Sequence, residues 1–436
     1  EDRIAYSYDG TFAQSLPDVA VLPESTEEVA AVVRLAAEHR APVIPRGMAS
    51  GLAAASVPAS GGIALSLTRM NRFLEIDEEN QTALVEAGVV TADLQTEVER
   101  RGLFYPPDPS SNKQSTIGGN IACNAGGPRC LKYGVTGDYV LGLTVVLPDG
   151  RVLKTGGKAI KNVVGYDLTS LFVGSEGTLG VITEALLKLV AKPQFVRTAR
   201  AEFPSLDDAS RTVNAILSVG IVPATLELMD ETAIGCIEEA MGLGLPLDVE
   251  AMLIIETDGS DEEAVVREIE AVARICRENG ARAVEVARSE EERAELWRAR
   301  RSVSPSLARK APNKLGEDIT VPLSAIPEAI RRIKEISARY ELPIVVFGHA
   351  GDGNIHPNIL FDKRDPEQWA KIEPMVGEIF GVALELEGTL SGEHGVGTLK
   401  RPYMEQALGP VSLEVQRRIK QALDPLNIMN PGKVLP

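Results

Sequence analysis

Ser115-Thr116-Ile117-Gly118-Gly119-Asn120, with Cys123-Asn124-Ala125-Gly126-Gly127 just after it, is the stretch that decides how this chain is read. It lies within a glycine-rich run from Pro106 to Gly137. Glycine lets the backbone approach a ligand closely, and successive amides in a turn make a concave anion site. Working outward, Pro45-Arg46-Gly47-Met48-Ala49-Ser50-Gly51 repeats the signal upstream, at the end of a short apolar strand. Two such loops together suit a dinucleotide pyrophosphate. The arrangement is not the Rossmann one, since no strand runs into Gly-x-Gly-x-x-Gly with an acidic residue downstream, and it is not a Walker A loop.

Around these loops the pattern is α+β. Val19-Ala20-Val21-Leu22 reads as a strand, and Ser25-Thr26-Glu27-Glu28 is a capping box opening a helix through about His39. Residues 63–87 read as strands, and a helix from about Thr91 to Arg101 stops at Gly102. A strand-rich region runs from Tyr139 to Val190, and Lys192-Pro193 marks a domain boundary. Beyond it, strand-like runs (198–203, 224–229, 250–257, 282–287, 318–322, 343–347) alternate with amphipathic helices (206–218, 261–279, 325–340). That alternation predicts an antiparallel sheet of split βαβ units with helices on one face. Helices near 366–388 and 411–423 complete the chain.

The 436 residues carry a net charge of −17. This argues against nonspecific nucleic-acid binding, which needs a basic footprint. Cys123, Cys130, Cys236 and Cys276 form no Cys-x-x-Cys pair and show no iron–sulfur spacing, and they read as buried or free thiols of a reducing compartment. No apolar run is long enough to span a bilayer, and no signal peptide is visible. The chain starts at Glu1 without a methionine, so native residues are expected ahead of it.

Three of the four histidines fall in two short blocks, Phe347-Gly348-His349-Ala350-Gly351-Asp352-Gly353-Asn354-Ile355-His356-Pro357-Asn358 and Ser391-Gly392-Glu393-His394-Gly395. His349, His356 and Glu393 are ligand types for a divalent metal, zinc or manganese, and two histidines with one carboxylate leave coordination positions open to a substrate oxygen. A glycine turn between two strands can bring His349 and His356 together. His394, beside a ligand, is a proton acceptor of suitable type.

Taken with Pro107-Asp108-Pro109-Ser110-Ser111 and Gly174-Ser175-Glu176-Gly177-Thr178-Leu179-Gly180, the loops resemble the FAD-binding domain of the vanillyl-alcohol-oxidase superfamily. The histidine blocks and the Asn427–Lys433 tail narrow the resemblance to FAD-linked glycolate oxidase subunits and the related D-lactate and D-2-hydroxyglutarate dehydrogenases. The resemblance implies a two-subdomain FAD-binding domain over 1–193, a ferredoxin-like α+β cap over 194–405, and a C-terminal helix and tail over 406–436 that returns to the FAD domain. FAD is expected to be noncovalent. Its contacts are expected from residues 45–51, Pro107, Asp108, Ser111, Thr116, Ile117, Gly118, Gly119, Asn120, Ala122, Asn124, Gly126, Gly127, Gly134, Glu176, Gly180, Val181, Ile182 and Asn430. His39, the one remaining histidine, is expected at a helix end and away from the flavin.

The implied reaction is oxidation of a small D-2-hydroxy acid to the 2-oxo acid, with FAD as hydride acceptor and the metal as Lewis acid. His394 takes the hydroxyl proton, Asn358 bonds a substrate oxygen, and Arg300 binds the carboxylate. Ser304 stands where relatives that bind a second carboxylate carry threonine, and their lysine is replaced near Gly316, with Lys314 displaced from it. This departure favours D-lactate or glycolate over 2-hydroxyglutarate. Electrons then pass to an outside acceptor: oxygen, a quinone, an electron-transfer flavoprotein or an iron–sulfur partner subunit, with a protein partner in keeping with the family. The setting expected is the cytoplasm, with attachment to the inner membrane through partner subunits as the other option. The rival readings are a metal-free flavin oxidase, a noncatalytic flavin-carrying subunit and a metal-dependent hydrolase; the last lacks a nucleophile elbow.

Overall fold

A computed structural model describes residues 2–436. The chain forms two compact units, one of residues up to Gly127 with Gly134–Lys192 and Glu393–Pro436, the other of Pro128–Tyr133 and Pro193–Gly392.

The first unit holds three sheets, the smallest being the antiparallel pair Leu103–Phe104 and Val190–Ala191. Three parallel strands, Val19–Val21, Ile63–Ser66 and Val43–Arg46 in that spatial order, carry the Thr26–His39 helix. Ser25 caps that helix, its side chain accepting from the Glu28 amide, and His39 is the helix's exposed last residue. The second sheet is five-stranded, in the order Phe73–Asp77, Thr82–Glu86, Val181–Lys188, Val140–Val146, Val152–Gly156. The chain's end returns here. Val43 donates to the Ile428 carbonyl and Asn430 donates to the Val43 carbonyl, each at 2.8 Å, so residues 428–430 run beside the parallel sheet. The last helix, Met404–Leu423, starts earlier than its sequence pattern suggested and is broken at Gly409, whose φ is +73°.

The second unit is built on one antiparallel sheet. Its strands are β1 (Phe195–Phe203), β2 (Thr225–Asp230), β3 (Ala251–Gly259), β4 (Ala283–Val286), β5 (Asn313–Gly316), β6 (Ile319–Thr320), β7 (Ile344–His349) and β8 (Asn354–Phe361). The spatial order is β4-β1-β3-β2-β7-β8-β5, with β6 paired to β8. The first four strands follow the ferredoxin-like order, and the β7–β8 hairpin extends it.

The expectation of helices on one face needs correction, because both faces are covered. Glu256 on β3 accepts from Trp297 Nε1 and Arg293 Nε of the Glu290–Lys310 helix, each at 2.9 Å. The next residue, Thr257, points the other way and donates to the Val265 carbonyl in the Glu262–Glu278 helix. Successive strand residues face opposite sides. The helices Glu231–Met241 and Glu290–Lys310, absent from the sequence reading, pack Ala233, Ile237, Val303 and Leu307 on Met252, Ile254 and Val345.

Asp230 caps the Glu231–Met241 helix, accepting from the Ala233 amide at 2.7 Å. Burial pushes its carboxyl up to about 7 against the opposing pull of Lys334 and the Ala233 amide. A raised folded-state value means that the group's contribution to stability is present below the ordinary carboxyl range and is lost as pH rises through about 7. Asp230→Asn keeps a good cap and removes the titration. The melting-temperature advantage of the variant over the native chain is therefore expected to be wider at pH 8 than at pH 5. A gap independent of pH would contradict this.

Candidate active site

In the first unit a cavity of about 1320 Å³, open to solvent, is bordered by the loops read from sequence. Residues Pro45 through Gly51, Ser111, Thr116, Gly118, Gly119, Asn120, Ala122, Glu176, Gly180 and Ile182 line it, together with Glu393 and His394. Other expected contacts stand behind the wall. Asn124 caps the Ile117–Cys123 helix and accepts from the Gly137 amide, while Asp108 accepts from Asn112. Gly134 forms a turn against Asp138, and Val181 is in the sheet core. Pro107 gives its carbonyl to Gln95, Ile117 is buried at the helix start, and Gly126 and Gly127 lie behind the lining, Gly127 against the Asp108 backbone.

The two glycine loops do different work. The Gly118 amide donates to the Ala87 carbonyl at 2.8 Å and the Gly119 amide to Thr116 Oγ1 at 3.3 Å, because Thr116 caps a short helix there. Those amides are engaged within the protein. Among the described residues, the amides of Met48, Ala49, Ser50 and Gly51 have no protein acceptor, and Ala49 sits at φ +55°. Successive unpaired amides with one left-handed residue form an anion-binding nest. Gly118 matters for space: a Cβ there would lie 2.6 Å from the Ala87 Cβ. Gly118→Val is expected to cost about 1–3 kcal/mol by overpacking and to lower FAD occupancy. A variant with native melting temperature and full flavin content would contradict it.

Glu176 has a role not legible from its loop. Its carboxylate accepts from the Val396 amide at 2.6 Å and the Gly397 amide at 2.7 Å, pinning the turn directly after Glu393-His394. Burial pushes this carboxyl up, and the two amides work against that. Asn430 does not line the cavity. It donates to the Ala55 and Glu176 carbonyls at 3.0 and 2.7 Å and so braces the same turn.

In the second unit the hairpin brings His349 and His356 together. They lie diagonally across β7 and β8 on one face, with ring centroids 5.1 Å apart. Both are buried. Each has a buried carboxylate beside Nδ1. Glu227, opposite His349 on β2, contacts its Nδ1, and Asp318 Oδ1 is 3.9 Å from His356 Nδ1. Glu227 is fully buried, which would raise its carboxyl, but His349 and Arg300 outweigh burial and bring it down to about 2. Arg300 reaches Glu227 through Nε at 2.6 Å and lies over the Phe347 ring. Asn358 is buried on the same face, its side chain donating to the His356 carbonyl at 2.9 Å.

Lys314 donates to Ser304 Oγ, so the displaced lysine and the serine do meet. Asp318 also accepts from Asn354 at 2.6 Å and Ser391 at 2.8 Å, which anchors the segment that leads through Gly392 into Glu393. Sequence reasoning missed Glu227 and Asp318.

Solved structures share this fold. The chain is similar to p-cresol methylhydroxylase with substrate bound at TM-score 0.83 and 18% identity, covering 99% of this chain and 92% of that one. It is similar to alkyldihydroxyacetonephosphate synthase at TM-score 0.73 and 22% identity, covering 97% and 78%. The architecture is the α+β vanillyl-alcohol-oxidase type expected from the loops. Residues 17–156 match the family described as FAD binding domain, and residues 192–434 match the family described as FAD linked oxidases, C-terminal domain. Among relatives, glycolate oxidase subunit GlcD of Bacillus subtilis (strain 168) is 48% identical over 433 residues, covering 99% of this chain and 92% of that protein. The GlcD subunit of Escherichia coli (strain K12) is 38% identical over 437 residues, covering 100% and 87%. D-lactate dehydrogenase of Anaerostipes hadrus is 36% identical over 430 residues, covering 97% and 90%. The chain belongs to the FAD-linked oxidase family that contains these glycolate oxidase subunits and D-lactate dehydrogenases, and it is an FAD-dependent oxidoreductase. Among the described residues, no helix is long and apolar enough to cross a membrane.

Proposed function

We propose that this protein oxidises a small D-2-hydroxy acid, D-lactate or glycolate, to the 2-oxo acid. The observation that carries the reading is the buried His349–His356 pair with a carboxylate beside each Nδ1. Carboxylates in that position fix a histidine's tautomer and orientation for coordination through Nε2. The relatives named as glycolate oxidase subunits and D-lactate dehydrogenases supply the substrate class.

The domain expected over 1–193 is assigned to noncovalent FAD, and the 194–405 region to the substrate. The donor set supports both groups. Successive unpaired amides suit a pyrophosphate, and two histidines with a carboxylate suit zinc or manganese. Cys123 lines the cavity, but burial pushes its thiol up, which disfavours the thiolate that a flavin–sulfur bond would need. When bound, FAD supplies the acceptor for the C2 hydrogen and its electron pair, and a divalent ion on His349, His356 and Glu393 supplies Lewis acidity. The chain's own residues do the rest. His394 removes the hydroxyl proton, Arg300 holds the carboxylate while keeping Nε on Glu227, and Asn358 orients a substrate oxygen.

Electrons leave to an iron–sulfur or flavoprotein partner. The relatives' designation as subunits supports this. So does the first unit's 157–168 segment, where Ile160, Val163, Val164 and Tyr166 are each at least 90% exposed, as expected of an interaction surface.

A second reading rests on the Lys314–Ser304 contact. It places a cation of strand β5 against the helix that carries Arg300 and suits a second anionic group, as in D-2-hydroxyglutarate. Dye-linked assays with D-lactate, L-lactate, glycolate and D-2-hydroxyglutarate decide. Preference for D-lactate or glycolate supports the proposal, and preference for the dicarboxylate supports the second reading. Preference for L-lactate overturns the assignment of a D-acid.

A further inference from the structure

Glu227 stands inside the Thr225-Leu226-Glu227-Leu228-Met229 run, an acid among apolar residues in a central strand of the second unit's sheet. It is fully buried. Met229, two residues along β2 and so on the same face, belongs to the apolar cluster that includes Ala299 and Val303 of the Glu290–Lys310 helix. A glutamate is seldom buried in such a place unless it is paired. Here its two oxygens serve two partners. Oε1 meets His349 Nδ1, and Oε2 accepts from Arg300 Nε at 2.6 Å.

Arg300 is fixed on two sides. Glu227 takes Nε, and the guanidinium carbon lies 4.8 Å from the centre of the Phe347 ring. Nη1 and Nη2 bond to no acceptor among the described residues, and the side chain keeps 15% of its surface accessible. A guanidinium held through Nε still offers its two terminal nitrogens as a fork to a carboxylate. His349 is fixed through Nδ1, which leaves Nε2 as its ligand atom. One buried carboxylate therefore positions both the imidazole assigned to the ion and the guanidinium assigned to the substrate.

We infer that Glu227 links these two groups, so that an ion on His349 and a carboxylate on Arg300 strengthen each other's binding. One negative charge is shared between two donors. An ion on Nε2 makes Nδ1–H a stronger donor and draws the charge of Glu227 toward the imidazole. Arg300 is then less neutralised and attracts a substrate carboxylate more strongly. Thermodynamic linkage makes the effect reciprocal. The inference rests on the roles proposed above for His349 and Arg300. Glu227 is a positioning residue that acts through both.

The test is the dissociation constant of zinc, with manganese in parallel, for FAD-loaded protein by chelator competition. It is measured with and without saturating propionate, which carries the carboxylate and no 2-hydroxyl. Propionate is expected to tighten zinc binding to the native chain about 5–50-fold. In Glu227→Gln the amide has one acceptor oxygen and can serve one partner only. Zinc alone is expected to bind this variant about 10–100-fold more weakly, and the propionate effect is expected to disappear. A merely structural role would weaken each ligand and leave the coupling in place. Arg300→Lys keeps the charge but has one nitrogen for two acceptors. It is expected to bind zinc alone as the native chain does and to lose the propionate effect, and it decides the matter if the glutamine variant does not fold. Native-sized tightening by propionate in either folded variant would overturn the inference, as would native zinc binding that propionate leaves unchanged. A native chain that binds neither zinc nor manganese overturns the metal reading itself, a different result from an ion bound without regard to propionate.

Discussion

His394→Gln is expected to lower kcat for the preferred hydroxy acid by about 10²–10⁴-fold, the usual worth of a positioned general base, while FAD stays bound. His394 lines the first unit's cavity with a side chain 17% exposed, which leaves it reachable by a small substrate without being loose. Its position is set from behind. Glu176 holds the Val396 and Gly397 amides, and Gly395 takes φ +83° in the turn. Glutamine preserves size and hydrogen bonding but cannot take up a proton near neutral pH. The loss should fall on the rate of flavin reduction at saturating substrate rather than on KM, and full flavin content is the control. A His394→Gln enzyme within a few-fold of native turnover would remove the residue from the chemistry.

The second large effect is expected at the hairpin. His349→Ala or His356→Ala should remove the metal from purified protein and cut turnover by about 10³-fold, since Lewis-acid stabilisation is worth several kcal/mol. Each histidine has a buried carboxylate beside its Nδ1. Glu227 lies fully buried between His349 and Arg300, and Asp318 collects Asn354, Ser391 and His356. Elemental analysis reads the metal, and visible absorbance confirms that FAD remains. A variant without metal that turns over normally would favour a metal-free oxidase of the same fold. If the native protein itself contains no metal and gains no activity from zinc or manganese, the ligand assignment fails.

The hairpin was legible because its signals are local. Gly351 and Gly353 mark the turn, and His349 and His356 keep strand parity across it. Glu227 was not, because it lies 122 residues from His349 and meets it only through the pairing of β2 with β7, which no local pattern specifies. The glycine loops were legible as close-approach backbone, but not in their division of labour. Whether an amide faces a ligand or another carbonyl depends on Ala87 and Thr116, set by the helix cap. The Glu290–Lys310 helix was missed because a run of Glu and Arg gives a weak apolar stripe, although Ser289 followed by three glutamates is a good helix start.

The most direct test is anaerobic stopped-flow absorbance of the FAD-loaded protein mixed with D-lactate or glycolate, in metal-free and metal-reconstituted forms. The expected result is rapid bleaching of the flavin band in the reconstituted enzyme, with bleaching slowed by orders of magnitude without metal and restored by zinc or manganese. A flavin that no 2-hydroxy acid reduces, in either form, would contradict the assignment.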